Sequence, residues 1–365
     1  MKQAFRVAAG LAVLVLASPG IAKPAIEWDR DHPVLVKAGA HYGRIARLDA
    51  GTLIAGYDFK RGVHVGLSHD EGRTWGDSIP VAAMDGGTCT NTELCVLRNG
   101  EVLCFFNFRP DRGSGKAFAI VASLSRDGAR TWSPPVTIHT AGKEFENGCW
   151  EPACIQLPGD ELQLYFANEG PYRDSNEQEV SMLRSKDNGR HWSAPETISF
   201  RKGSRDGMPV PVLSRDGKSV FVAIEDNGLS GTFKPVIVAT PIDGGGWRKG
   251  AVDGDSPFRW RALAEPLPAS TYAGAPYLRQ LADDRFVISF QLAASGQMRD
   301  SRMAVAIGDA NARNFGSPSF PFPETPGRAQ LWNAVFIPGE DRVMAISETS
   351  LKGTRGIWTV SGRIR

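Results

Sequence analysis

Residues 149–192 read CWEPACIQLPGDELQLYFANEGPYRDSNEQEVSMLRSKDNGRHW. Two short apolar runs flank the turn LPGDE, a third run VSML follows, and SKDNGRHW closes the stretch. Short runs rich in Leu, Ile, Val and Phe, bounded by Gly, Asp and Pro, are β-strands rather than helices. The stretch therefore predicts a small four-stranded antiparallel sheet.

The same pattern recurs along the chain. YGRIARLDAGTLIAGYD starts at Tyr42, NTELCVLRNGEVLCFFN at Asn91, and the quoted copy at Trp150. GMPVPVLSRDGKSVFVAIE starts at Gly207, GAPYLRQLADDRFVISFQ at Gly274 and LWNAVFIPGEDRVMAISE at Leu331. The residues before each turn, Leu48, Leu97, Leu157, Leu213, Leu281 and Ile337, lie 49, 60, 56, 68 and 56 apart. Such periods suit the blades of a propeller, and six copies predict an all-β, six-bladed β-propeller. GIWTVSGRIR at the end and Ile26–Lys37 near the start are expected to complete one blade together and close the ring.

Three octets join blade strands: SHDEGRTW (Ser68–Trp75), SRDGARTW (Ser125–Trp132) and SKDNGRHW (Ser185–Trp192). Asp can bind turn amides, Gly allows positive φ, and Trp can bury its ring between blades, so Asp70, Asp127 and Asp187 read as structural. These octets resemble the Asp-boxes of the sialidase-like, BNR-repeat propellers, with Ala129 and His191 as departures. PIDGGGW (Pro241–Trp247) reads as a worn copy.

Composition narrows the function classes. The 365 residues carry a net charge of +2, which gives no electrostatic case for nucleic acid. MKQAFR, then VAAGLAVLVLA, then Gly20-Ile21-Ala22 form a signal-peptide pattern over residues 1–22, with a propeller domain over 23–365. A secreted or periplasmic protein follows, free of the membrane after cleavage and expected as a monomer. The five cysteines match no zinc spacing, and the expected state is small buried thiols with a disulfide as an option. No cofactor or metal motif is present.

In a hairpin, the start of strand one and the end of strand two lie together. All six hairpins should therefore line one mouth of the channel, with the Asp-boxes at the other end. At this mouth the sequence places Arg44, Asp58, Asn107, Arg109, Trp150, Glu151, Asn168, Glu169, Asp206, Met208, Glu225, Gln291, Trp332 and Asn333. Carboxylates, amides and aromatics mixed around one axis suit a carbohydrate, and two carboxylates are the minimal apparatus of a glycosidase.

Blades three and four, WEPACIQLPGDELQLYFANE and GMPVPVLSRDGKSVFVAIE, resemble glycoside hydrolase family 93, the exo-α-1,5-L-arabinanases. The resemblance implies a retaining exo-glycosidase acting on arabinan or a related polysaccharide, with Glu151 as acid/base and Glu225 as nucleophile. The remaining mouth residues would bind sugar. Glu151 is expected to hold the proton, with Arg44 or Arg109 keeping Glu225 ionised. Two alternatives stand beside this: an exo-α-sialidase, for which Arg44 would be the first of three carboxylate-clamping arginines, and a non-catalytic BNR-repeat carbohydrate-binding protein.

Overall fold

A computed structural model describes residues 26–243, 246–324 and 327–365. The signal peptide expected over residues 1–22 lies outside the described residues. Blade one comprises His41–Asp49, Thr52–Phe59, Gly62–Ser68 and Ile79–Ala82. Blade two comprises Gly87–Val96, Val102–Pro110, Ala119–Ser125 and Val136–Thr140. Blade three is Cys149–Gln156, Leu162–Asn168, Glu179–Ser185 and Glu196–Ser199. Blade four is Asp206–Leu213, Ser219–Asp226, Lys234–Pro241 and Arg259–Arg261. Blade five is Tyr272–Gln280, Phe286–Ala293, Arg302–Ile307 and Gly316–Ser319.

Blade six joins the two ends of the chain. Leu331–Gly339, Arg342–Leu351 and Thr354–Ile364 are consecutive strands, and the outer edge of the last is covered by Ile26–Trp28 and Val34–Ala38. The expected closing strand is therefore split in two. Pairing of Ile26 with Ile364 and of Ala38 with Gly356 covers the edge of the last strand along this seam.

The core is divided among the interfaces between blades. Ile54, Val63 and Val65 of blade one pack on Val102, Cys104 and Phe106 of blade two. Leu103, Phe105 and Ile120 of blade two meet Leu162, Leu164 and Phe166 of blade three. Second strands face a neighbour on both sides, so Leu162–Asn168 is buried throughout. All five cysteines are free, with Cys89, Cys95, Cys104 and Cys149 buried as small apolar groups.

The Asp-boxes are local clasps. Thr74 and Thr131 each donate backbone N–H and hydroxyl to Asp70 and Asp127, and these bonds hold both carboxyls down to about 2. His191 replaces Thr in the third box and reaches Asp187 through its backbone N–H and ring Nδ1. Their tryptophans, Trp75, Trp132 and Trp192, are half-buried rather than buried, each wedged against its blade interface. In the worn copy Trp247 is buried and donates to the Tyr165 hydroxyl at 2.8 Å, bridging blades three and four.

Candidate active site

One irregularity repeats in all six blades. The pairing register of each hairpin shifts near its mouth end, between His41/Arg44, Thr90/Glu93, Trp150/Ala153, Gly207/Val210, Gly274/Tyr277 and Leu331/Ala334. A non-glycine residue at positive φ sits in every bulge: Tyr42 (53°), Asn91 (56°), Glu151 (53°), Met208 (50°), Ala275 (49°) and Trp332 (51°). Left-handed backbone costs an L-residue about 1–2 kcal/mol. The bulge turns a side chain toward the axis and frees a backbone N–H from the ladder.

Four of those amides bind the preceding blade. Asn91 N–H donates to Asp58 at 3.0 Å, Ala275 N–H to Glu225 at 2.7 Å and Trp332 N–H to Gln291 at 2.6 Å. Asp58, Glu225 and Gln291 are the strand-two residues facing the bulge of their own blade. In blade three the equivalent position is Ala167, opposite Trp150, and not Asn168 or Glu169. Alanine offers no acceptor, so the Met208 N–H instead donates to the Glu151 carboxylate at 3.3 Å. Both glutamates are thus fixed by a bulge amide of the following blade.

Glu151 and Glu225 are half-buried, so solvent reaches both. Desolvation raises the Glu151 carboxyl to about 7, against the opposing charge of Arg109 and the Met208 bond. Desolvation, then the negative charge of Glu151, raises Glu225 to about 8. The two carboxyls meet at adjacent residues of one strand, Glu225 at Gly207 and Glu151 at the Met208 N–H. The Glu225 carboxylate lies between two glycines: a Cβ on Gly207 would stand 3.3 Å from Oε1, and one on Gly274 would stand 2.6 Å from Oε2.

Glu151 is raised as expected, and the expectation that an arginine holds Glu225 ionised is corrected here. Both carboxyls are raised, Glu225 further. Arg109 lowers Glu151 rather than Glu225, and Arg44 is engaged elsewhere. Arg44 crosses the axis below the bulge ring, 3.4 Å from Glu93, over the Tyr42 and Tyr277 rings, and donates to the Trp332 carbonyl. Only 2% exposed, it offers no guanidinium to a sugar carboxylate.

Other expected sugar-binding residues are held in the frame. Asp58 accepts from the hydroxyls of Thr90 and Thr92 and from the amides of Asn91 and Thr92. Asp206 is fully buried and paired with Arg259, which also binds Asp226. Asn168 binds Ser181 and Gly170 within its own blade. Trp150 is buried against Phe118 and Phe145, a wall and not a platform. Asn333 is buried at 0% exposure, and Gln291 braces Trp332 and Tyr272. Glu169 is buried in an ion pair with Arg205. Asn107 is fully buried with both amide atoms unpaired, at the strand-two position preceding the Glu151 bulge.

Five of the expected residues remain around the pocket: Glu151, Glu225, Arg109, Met208 and Trp332. Met208, Tyr42 and Ala275 form an apolar floor with half-buried Trp332 packed on it. Two neighbours were not anticipated. Arg205, bonded to Gln178 and Glu169, acts on both glutamates. Tyr272 accepts from Gln291 and lies beside Glu225, its hydroxyl 2.5 Å from where a Gly274 Cβ would be. The sequence signals were slight: a basic residue before Gly207 and a tyrosine before Gly274.

Residues 100–257 match the BNR repeat-like domain. Among solved structures, a protein of unknown function from Dyadobacter fermentans is similar at 15% identity and TM-score 0.70, covering 93% of this chain and 100% of that one. The α-L-arabinofuranosidase of Fusarium graminearum, in complex with an iminosugar inhibitor, is 18% identical with a TM-score of 0.69, covering 93% and 97%. A Penicillium chrysogenum α-L-arabinanase complexed with arabinobiose is 16% identical with a TM-score of 0.65, covering 94% and 97%. Residues 100–257 thus resemble BNR repeats, and the chain shares the six-bladed propeller fold of these solved structures.

Proposed function

We propose that this protein is a retaining exo-glycoside hydrolase, acting on arabinan or a related polysaccharide, with Glu151 as acid/base and Glu225 as nucleophile. One observation carries the reading: two half-buried glutamates on adjacent blades, each fixed by a bulge amide, coupled by charge and raised toward neutrality. Such a pair holds one proton between two carboxyls near neutral pH, as double-displacement chemistry requires. For turnover that shared proton must stand on Glu151, with Glu225 ionised. Positive charge developing at the anomeric carbon favours ionised Glu225, while negative charge on the leaving oxygen draws the proton from Glu151. The apolar floor with Trp332 at its edge suits a sugar face. The leader-like pattern of residues 1–22 supports export as part of this reading.

The test is a panel of aryl glycosides and arabinans, with wild type and Glu151→Gln side by side. Turnover by wild type and its loss in the variant, with sugar binding kept, support the reading. Binding without turnover in both would mean a carbohydrate-binding protein.

A further inference from the structure

The mouth is walled on one side only. In blades two to five the loops joining strands two and three are residues 111–118, 169–178, 227–233 and 294–301. They interlock with the loops between blades into a collar. Phe118 N–H donates to the Gly142 carbonyl and Ala141 N–H to the Phe118 carbonyl, tying the first loop to the link into blade three, and Tyr172 stacks on Phe200 at 5.0 Å. Gly203 N–H donates to Glu177, Thr232 bonds Ala269 and Thr271, and Gln330 bonds Ser301. In blades one and six the same connections shrink to Lys60-Arg61 and Lys352-Gly353, with φ of 50°, 64°, 48° and 79°. These are two-residue turns of the I′ kind. Gly39-Ala40 alone joins blade six to blade one.

The low sector is basic. His41, Lys60, Arg61, Lys352 and Arg355 are exposed and Lys37 half-exposed. The ion pairs there engage bases as well as acids, and among the described residues they leave Lys37, Lys60 and Lys352 without an acidic partner. Glu348 is buried against His41 and Arg355, Asp58 is buried under four donors, and Asp111 pairs with Arg61. Asp85, in the link from blade one to blade two, and Asp111 are exposed acids bordering this sector. His41 is raised by its bond to Glu348 and, to a lesser degree, by Asp58, while Arg355 opposes.

We propose that the substrate chain leaves the pocket over blades six and one, and that it is an anionic polysaccharide whose acidic groups lie beyond the bond that is cut. This rests on the glycosidase reading for the cut itself. It does not rest on it for the binding. A collar on blades two to five leaves a long chain no other exit, and a cationic shelf beyond the exit attracts carboxylates or sulfates.

The experiment is affinity electrophoresis in gels containing polygalacturonate or neutral arabinan, with wild type and a Lys60→Asn/Lys352→Asn double variant. Asn tolerates the positive φ at both turns. Wild type should be retarded by polygalacturonate, with retardation lost between low and 0.3 M salt. The double variant should lose about tenfold in apparent affinity for it and none for arabinan. Cleavage of an aryl glycoside should be equal in both proteins. Retardation unaffected by salt or by the double substitution would overturn the proposal, whatever the outcome of the turnover assays. Loss of turnover with retardation intact would instead count against the glycosidase reading.

Discussion

At the residue scale, the placement of Glu151 depends on what its neighbours lack. Ala167 leaves the Met208 amide without a strand-end acceptor, and the Glu151 carboxylate takes it. Glu151→Gln keeps a hydrogen-bonding side chain but removes the acid, so the expected fall in kcat is about 10²–10⁴-fold. The pH dependence of folding has a definite sign. Both carboxyls are raised when folded, so between about 4.5 and about 8 the folded state binds more protons than the unfolded. Their contribution to stability therefore falls as pH rises through that window. Glu225→Gln removes this penalty, and its melting temperature should exceed wild type at pH 8 and approach it at pH 4. Scanning calorimetry at the two pH values checks this. A variant less stable at pH 8 would show that the Glu225 carboxylate is held favourably.

Elements explain which parts of the site were legible. Hairpin number, the three boxes and the mouth end follow from strand patterning and turn residues, which are local. The bulge phase is not local. FANE offers Ala167, Asn168 and Glu169 as strand ends, and only pairing with Trp150 selects Ala167. Whether a polar strand end faces sugar or its neighbour depends on the next blade, so Asp58 and Asp206 looked available and are saturated. Arg205 and Tyr272 enter as strands begin, where one sequence carries little signal. Two element-level outcomes are expected. Gly274→Ala should lower activity sharply, because its Cβ would stand 2.6 Å from Glu225 Oε2 and 2.5 Å from the Tyr272 hydroxyl. Full activity in that variant would show that Glu225 need not hold its position. Asp127→Ala should cost about 1–3 kcal/mol through lost turn bonds while sparing kcat, measured by denaturant unfolding alongside kinetics. A folded Asp127→Ala protein without activity would contradict the structural role of the box.

Across the whole molecule, closure sets rigidity. The seam is made by pairing Ile26–Trp28 and Val34–Ala38 with Thr354–Ile364. Deleting residues 26–38 exposes the outer edge of that last strand, so a lower melting temperature and a tendency to aggregate are expected by calorimetry and light scattering. The same ring holds blades three and four in fixed relation, which lets two carboxylates from separate strands act as one unit.

The most direct test of that unit is the anomeric configuration of the first sugar released, followed by NMR from time zero with an oligosaccharide or aryl glycoside found in the substrate panel. The expected result is initial appearance of the retained anomer, followed by slow mutarotation, and no release by Glu225→Gln. Initial appearance of the inverted anomer, or unchanged release by Glu225→Gln, would contradict the Glu151–Glu225 pair as a double-displacement apparatus.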